Sequence, residues 1–239
     1  MALQRTDKIL SSQNIASRSE IKSMIKSGRI TADGNTVKRP EEKYDPDNTE
    51  FAVDGVRINF RKYLYIMMNK PQGVLSASND RYEKTVIDLL PENLRRKDLF
   101  PAGRLDKNTE GFILITNDGE LSHKMLSPKS HVYKLYEAQT DRDLTDDDVK
   151  AFSKGIKVGE LSFMPAEMKI TGRNKALVEI CEGKFHQIKK MFMAVGAEVI
   201  SLKRLRIGQV HLDESLSPGE CRELEPQEII DILSLNHGI

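Results

Sequence analysis

The sequence has little cysteine and no long apolar stretch. Two cysteines, Cys181 and Cys221, are too few for a disulfide framework in a chain of 239 residues, which predicts a reducing cytoplasm. The longest strongly apolar runs, 63–68 and 112–115, fall far short of the roughly 20 residues of a membrane-spanning helix. The first eight residues lack the apolar stretch of a secretory signal. We therefore expect a protein that is neither secreted, membrane-embedded nor built on disulfides.

Charge is nearly balanced over the whole chain but unevenly distributed along it. The net charge is +1, so total charge alone says nothing about a polyanionic partner. Residues 1–39 hold eight basic and three acidic side chains, and residues 181–206 hold six and two. These basic segments are compatible with nucleic-acid contact and equally with ordinary solvated faces, so charge alone leaves both interpretations open.

The first sixty residues predict a small basic module. Ser17 and Glu20 have the spacing of a capping box, which places a helix start directly after residue 17. Residues 29–32 and 36–38 flank an Asp-Gly-Asn turn, which predicts a β-hairpin. Cations recur along the predicted helix at a spacing of four residues. Because like charges repel, stability alone does not explain this clustering.

The run from Asp7 to Gly34 resembles the RNA-binding module of the ribosomal protein S4 type. The resemblance covers about residues 1–57 and implies a small domain that binds structured RNA. Modules of this kind also occur in proteins without catalytic activity, so the module by itself says nothing about chemistry. The resemblance implies RNA contacts through the basic residues of this segment, which are Arg5, Lys8, Arg18, Lys22, Lys26 and Arg29.

After a short polar linker at 58–62, residues 63–235 predict a second domain. Strand-like runs predominate, at 63–68, 112–116, 132–139, 167–171, 176–181 and 199–205. Helices are expected at 120–126, 146–154, 185–195 and 228–233. Strands mixed with helices, without regular alternation, predict an α+β fold with a mainly antiparallel, mixed sheet flanked by helices.

One acidic residue stands out, on a loop that leads into a short apolar strand. Asp106 lies between Gly103 and Gly111, and residues 112–116 that follow are predicted to be buried. A buried strand would hold the loop firmly while its carboxylate could still meet a ligand. The pattern by itself favours a turn aspartate that bonds its own backbone.

This loop resembles the nucleophile motif of RNA pseudouridine synthases. Three further segments agree with that family in the same order: 69–74 (Asn-Lys-Pro-Gln-Gly-Val), 134–138 (Lys-Leu-Tyr-Glu-Ala) and 182–192, which contains His-Gln-Ile-Lys-Lys-Met-Phe. These segments are most similar to the ribosomal small-subunit pseudouridine synthase A branch, and the resemblance covers most of residues 63–230. The resemblance implies the pseudouridine synthase fold and isomerisation of a uridine in ribosomal RNA.

The resemblance also implies roles for individual residues. Asp106 would act at C1′ of the sugar, as a nucleophile or as the base that yields a glycal, and Lys189 would pair with it. Tyr136 would stack on uracil and help to remove the C5 proton. Arg104 would support extrusion of the base. Further cations, Lys70, Arg204 and Arg206, would position the RNA backbone.

No cofactor is expected, because the isomerisation rearranges atoms without net oxidation. The sequence contains no phosphate-binding loop and no metal-ligand spacing, and its histidines are scattered. The favoured target is 16S rRNA, as naked RNA or within a small-subunit assembly intermediate, and nothing in the sequence requires more than a monomer. Two alternatives stay open: an enzyme acting on 23S rRNA, and a non-catalytic ribosome-assembly protein that binds RNA.

Overall fold

The computed structural model describes residues 3–234 and 238–239. The first two residues of the predicted RNA-binding domain and residue 235, the last of the predicted catalytic domain, lie outside the described residues. The described chain forms two compact units. The first contains the residues up to Tyr63 and also Pro91–Leu99, and the second contains Leu64–Leu90 and the residues from Phe100 onward. The grouping of 91–99 with the first unit was not predicted.

The first unit packs two helices against short strands. The helices are α1 (Thr6–Ser12) and α2 (Arg18–Lys26), and the strands are β1 (Gln4–Arg5), β2 (Ile30–Ala32), β3 (Asn35–Thr36), β4 (Lys43–Tyr44), β5 (Phe51–Val53) and β6 (Val56–Ile58). The predicted capping box is confirmed, because Ser17 accepts from the Glu20 backbone N–H and the Glu20 carboxylate accepts from that of Ser17. The predicted hairpin is confirmed as β2 and β3. The hydrophobic core of the first unit is centred on Ile9, Leu10, Ile21 and Phe51.

Residues 91–99 bind to this unit through an arginine. The Arg96 guanidinium donates to the carbonyl oxygen of Arg61 at 2.7 Å and to Oε1 of Gln13 at 2.8 Å. Leu94 and Leu99 on either side are buried. The first unit is therefore assembled from two separate stretches of the chain.

The second unit is built around one large sheet. Its strands are β7 (Tyr65–Lys70), β8 (Phe100–Ala102), β9 (Glu110–Thr116), β10 (Lys134–Thr140), β11 (Ile156–Val158), β12 (Leu161–Phe163), β13 (Glu167–Gly172), β14 (Lys175–Ile180), β15 (Val199–Ile207), β16 (Val210–His211) and β17 (Cys221–Glu223). Its helices are α3 (Gly119–Leu126), α4 (Asp146–Ser153), α5 (Gln187–Ala194) and α6 (Pro226–Asp231). The sheet order is β13-β14-β10-β15-β9-β7-β17, with β16 on β15 and β8 on β9.

The sheet is mixed at a single described pairing, where β15 runs parallel to β9. Gly111 faces Arg204 at this pairing and has a φ of 98°. A Cβ atom at Gly111 would lie 2.2 Å from the Arg204 carbonyl oxygen, so glycine is required for the two strands to approach. This close pairing brings β15 next to the start of β9, where the Asp106 loop ends.

The predicted α+β class with a mainly antiparallel sheet is confirmed, and all six predicted strands of the second unit are present within two residues or so of their expected bounds. The shorter strands β8, β11, β12, β16 and β17 were not predicted, because two or three residues carry too little periodicity to register. Among the described residues, none of the helices is long and apolar enough to cross a membrane.

Candidate active site

Asp106 lies on the loop that joins two antiparallel strands, β8 and β9. The loop is fastened on both sides of the carboxylate. The Ser76 hydroxyl donates to the Leu105 carbonyl oxygen at 2.8 Å and accepts from its N–H at 3.0 Å. On the other side, the N–H of Thr109 donates to the carbonyl oxygen of Asp106 at 3.0 Å. The Asp106 side chain remains 28% exposed, so the loop is rigid while its carboxylate is accessible.

Lys70 supports this loop from inside the protein. Its ammonium is fully buried and donates to three carbonyl oxygens: Pro71 at 2.9 Å, Lys107 at 3.1 Å and Thr109 at 2.9 Å. Burial lowers the pKa of Lys70 to about 8, and the nearby carboxylates of Asp106 and Glu110 partly oppose that shift. The prediction that Lys70 binds the RNA backbone is therefore wrong, because all three donors of the ammonium are used inside the fold.

Two side chains from the third sequence motif face the Asp106 carboxylate. The Lys189 ammonium lies 3.2 Å from Oδ2, and Nε2 of His186 lies 3.4 Å from Oδ1. Lys189 was predicted to be the partner of Asp106, and the structure brings the two together. His186 was not predicted, although it lies in the same motif.

The position of His186 follows from the way α5 begins. The spacing of apolar residues predicted a helix from residue 185, but α5 starts at Gln187 and His186 is its N-cap with a φ of 53°. The Gln187 amide oxygen accepts the N–H of Lys184 at 3.1 Å, which closes the turn before the helix. A left-handed conformation is unfavourable for a residue other than glycine, and here it turns the imidazole toward Asp106. Periodicity alone does not reveal such a turn.

Tyr136 lies on β10 and is 7% exposed, with its ring in the wall of the cleft that contains Asp106. Its hydroxyl accepts a hydrogen bond from the Arg204 guanidinium at 3.3 Å. Arg204 is itself 4% exposed and donates through Nε to the carbonyl oxygen of Phe112 at 2.6 Å. The prediction that Arg204 binds the RNA backbone is wrong, because this side chain is enclosed between β9 and β10 and orients the tyrosine.

Arg206 is also buried. It forms an ion pair with Glu179, which is 1% exposed, and it donates to the carbonyl oxygen of Gly238 at 3.2 Å. The Glu179 carboxylate accepts the N–H of the same glycine at 2.9 Å. The prediction of an RNA-backbone contact for Arg206 is wrong, because its guanidinium neutralises a buried carboxylate. A run of basic residues in sequence does not distinguish these two roles.

The cleft around Asp106 has a volume of about 70 Å³. Arg104 lines it and is exposed, as a residue that contacts RNA must be. Leu105, Ile180, Ile188 and Leu202 contribute apolar side chains to a lining that is otherwise mostly polar. A carboxylate beside an aromatic ring and several apolar side chains can bind a planar base and act on the atom attached to it.

The predicted RNA-binding cations of the first unit differ in their surroundings. Arg5 forms two hydrogen bonds with Asp7, and Arg29 is paired in the same way with Asp54. These two arginines hold neighbouring carboxylates, which reduces the charge they offer. The other four are exposed and lie on the two helices or directly beside them: Lys8, Arg18, Lys22 and Lys26.

Within residues 3–234 and 238–239, no group of three or more His, Cys, Asp or Glu side chains could hold a metal ion. Cys181 is buried, and burial raises the pKa of its thiol, which opposes formation of a thiolate nucleophile. The groups that the described site offers therefore include the carboxylate of Asp106, the ammonium of Lys189, the imidazole of His186 and the phenol of Tyr136. These groups suit general acid–base or nucleophilic chemistry at a sugar or base.

Comparison with protein families assigns both units. Residues 64–194 match the family model described as RNA pseudouridylate synthase. Residues 4–49 match the model of the S4 domain.

Full-length relatives agree with these matches. An uncharacterized RNA pseudouridine synthase of Bacillus subtilis is 45% identical over 94% of this chain and 96% of its own length. A ribosomal small subunit pseudouridine synthase A of Vibrio cholerae is 38% identical over 95% of this chain and 99% of its own. A crystal structure of a pseudouridylate synthase superposes with a TM-score of 0.68 at 31% identity, covering 96% of this chain and 99% of that one.

Proposed function

The chain belongs to the RNA pseudouridylate synthase family, as an S4-domain rRNA pseudouridine synthase, and we propose that Asp106 is its catalytic carboxylate. One observation carries this proposal: the exposed Asp106 carboxylate lies 3.2 Å from the Lys189 ammonium, in a cleft that Tyr136 also lines. Of the described acidic residues, Asp106 is the one that combines this exposure, this cationic neighbour and an aromatic wall.

We propose 16S rRNA as the substrate. Several relatives that align over nearly their whole length bear the name ribosomal small subunit pseudouridine synthase A, which supports the small subunit. The enzyme would act in the cytoplasm as a monomer, on naked RNA or on an assembly intermediate. A 23S target is the remaining alternative within the same reaction class.

The proposed reaction conserves all atoms of the nucleotide. The N1–C1′ bond of uridine breaks, the uracil turns, and a new bond forms between C5 and C1′. C5 loses its proton and N1 ends with one, so the reaction is an isomerisation that consumes no redox equivalent. Positive charge that develops at C1′ is stabilised by the Asp106 carboxylate, or captured by it as a covalent bond.

The neighbours of the carboxylate divide the remaining tasks. Lys189, 3.2 Å from the Asp106 carboxylate, holds it in position before the bond breaks. Tyr136 stacks on the freed uracil, and its hydroxyl, whose acceptor side is engaged by Arg204, remains able to exchange a proton near C5. Lys189 and Tyr136 reach the cleft from α5 and β10, so the base would be held from two directions.

The uridine must leave its stack before C1′ can reach Asp106. Arg104 lies two residues before the carboxylate and is exposed, so we assign it to the space that the base vacates or to a neighbouring phosphate. The exposed cations of the first unit would deliver the RNA by contacts to phosphates, which carry no sequence information themselves.

Replacement of the carboxylate tests the proposal directly. Asp106→Asn should abolish tritium release from RNA labelled at C5 of uridine, while filter retention of the same RNA stays within about twofold, because the amide keeps the shape and removes the charge. Asp143→Asn, an exposed carboxylate of the second unit, is the matched control and should react like wild type. Tritium release by Asp106→Asn at the wild-type rate would overturn the assignment.

Mapping of the product decides between the remaining alternatives. Unmodified 16S and 23S transcripts and small-subunit assembly intermediates are incubated with the enzyme, and pseudouridines are located by carbodiimide modification and primer extension. A single new stop in 16S rRNA supports the proposed substrate. A stop confined to 23S rRNA assigns the large subunit, and binding without any product assigns a non-catalytic role in assembly.

A further inference from the structure

We propose that Phe185, together with His186 and Lys190, forms a binding platform for the base of a nucleotide next to the target uridine. This inference rests on the proposed function and adds to it a second contact with the RNA strand, outside the cleft that contains Asp106. The three residues lie at the start of α5, and we refer to them as the Phe185 platform.

The exposure of Phe185 is the first observation. Its side chain, in the turn directly before α5, is 69% exposed, whereas Ile188, Met191 and Phe192 on the helix are buried. A large aromatic side chain left in water on a rigid element contributes nothing to the core, and exposed aromatic residues are typical of contact surfaces. The core of this helix is complete without Phe185.

The ring is already held in a stacking arrangement. The Phe185 and His186 rings have their centroids 3.8 Å apart and their planes 20° apart. The Lys190 ammonium lies 4.9 Å from the centroid of the Phe185 ring. His186 covers one face of the ring, but the Phe185 side chain is still 69% exposed, so the stacked pair offers an aromatic surface to a third planar group.

The platform is continuous with the proposed catalytic site. The His186 imidazole stacks on Phe185 and also places Nε2 3.4 Å from the Asp106 carboxylate. A strand whose uridine enters the cleft at Asp106 therefore brings its adjacent nucleotide to Phe185. Because the left-handed backbone of His186 fixes both rings, the platform is formed before RNA binds.

The chemistry of the platform selects single-stranded RNA as its occupant. Every nucleobase has a π face, and stacking on an aromatic side chain is a general means of holding unpaired bases. Lys190 adds a positive charge beside the ring, which suits the phosphate that links the two nucleotides. A protein or lipid partner would match the aromatic ring but not the continuity with the catalytic carboxylate.

The chain offers a direct optical test, because it contains no tryptophan. Phe185→Trp introduces a single indole on the platform, and Ile230→Trp places one at another exposed apolar position as the control. Both variants are titrated with unmodified 16S and 23S transcripts while binding is followed by filter retention. Emission of Phe185→Trp should fall on binding, and that of Ile230→Trp should not. Binding without any change at Phe185→Trp overturns the proposal.

A second experiment separates this proposal from the proposed function. An abasic ribonucleotide is placed on either side of the mapped uridine, and kcat/KM is measured for wild type, Phe185→Leu and Phe185→Tyr. On the intact RNA, Phe185→Leu should lose about tenfold in kcat/KM through KM, and Phe185→Tyr should retain it. One of the two abasic sites should lower kcat/KM of wild type about tenfold and leave kcat/KM of Phe185→Leu unchanged.

Each result of that experiment has one interpretation. Equal sensitivity of wild type and Phe185→Leu to both abasic sites overturns the platform while leaving the isomerase intact. Absence of pseudouridine from the wild-type reaction overturns the proposed function, and the fluorescence titration then still tests whether Phe185 contacts RNA.

Discussion

The ammonium of Lys70 donates to the carbonyl oxygen of Thr109, a residue 39 positions later in the chain, at 2.9 Å. This bond joins the end of β7 to the loop that carries Asp106. Lys70, from the sequence motif at 69–74, therefore supports the loop of the Asp106 motif from inside the protein. The rigidity of the proposed catalytic loop therefore depends on a residue that never reaches the RNA.

Lys70→Met should destabilise the protein by about 2 kcal/mol or more, because the carbonyl oxygens of Pro71 and Thr109 lose this donor, whereas that of Lys107 keeps the N–H of Gly73. Lys107→Met is the matched control, since this exposed lysine of the same loop pairs only with the exposed Glu83 and should change stability by less than about 1 kcal/mol. Urea unfolding measures both variants. Equal stability of the two would show that the buried ammonium does not support the loop.

Lys189→Met should lower kcat by about a hundredfold or more, because it removes the cation beside the Asp106 carboxylate. Lys189→Arg keeps the charge and should retain activity within about tenfold of wild type. Lys150→Met on α4 controls for loss of an exposed lysine. Single-turnover tritium release gives the rates. Wild-type activity of Lys189→Met would remove the ammonium from the mechanism.

The exposed cations of the first unit should determine how RNA affinity depends on salt. Deleting residues 1–57 is a poor test, because it would expose Leu94 and Leu99, which are buried in the same unit. The triple variant Arg18→Gln, Lys22→Gln, Lys26→Gln should instead weaken RNA binding, measured by filter retention. It should also reduce the magnitude of the slope of log K against log salt concentration by roughly 1 to 2.

A triple variant of the second unit provides the comparison for charge loss: Lys154→Gln, Lys157→Gln, Lys169→Gln, all at exposed positions. It should keep the slope of wild type. If both triple variants change the slope equally, delivery of RNA is not a property of the first unit.

Lys134 on β10 predicts a specific dependence of stability on pH. Burial, reinforced by the Arg204 charge, lowers the pKa of Lys134 to about 8 from 10.5. Between these values the unfolded chain holds more protons than the folded one, so stability increases as pH rises. Lys134→Met removes this contribution. Relative to the variant, wild type should gain about 2 kcal/mol between pH 7 and pH 9.5 in urea unfolding. A constant difference would contradict the lowered pKa.

Much of the fold was predictable from local pattern. The capping box at Ser17 and the long strands of the second unit carry strong local signals, and the structure confirms them. The short strands and the attachment of residues 91–99 depend on distant partners such as the Arg96 contact with Gln13. Such contacts leave no periodic trace in the sequence.

The candidate site was likewise predicted only in part from the sequence. Asp106 and Lys189 were paired from sequence motifs, and their side chains meet in the structure. His186 was missed because the predicted helix at 185–195 included it, whereas its left-handed backbone makes it the N-cap of a helix that starts at Gln187. Lys70, Arg204 and Arg206 were misassigned to the RNA surface, because a formal charge in sequence carries no information about burial.

By itself, the sequence determined the family, the order of its motifs and the residue types at the site, since these follow from local spacing and composition. Only the tertiary structure decided which cations face solvent and which stabilise the interior. The physical reason is that the residue type of a lysine or arginine does not show whether its side chain is buried, whereas its role depends on the groups that replace water around the charge. Lys70 and Lys189 show this difference: one is enclosed by carbonyl oxygens, and the other lies beside an exposed carboxylate.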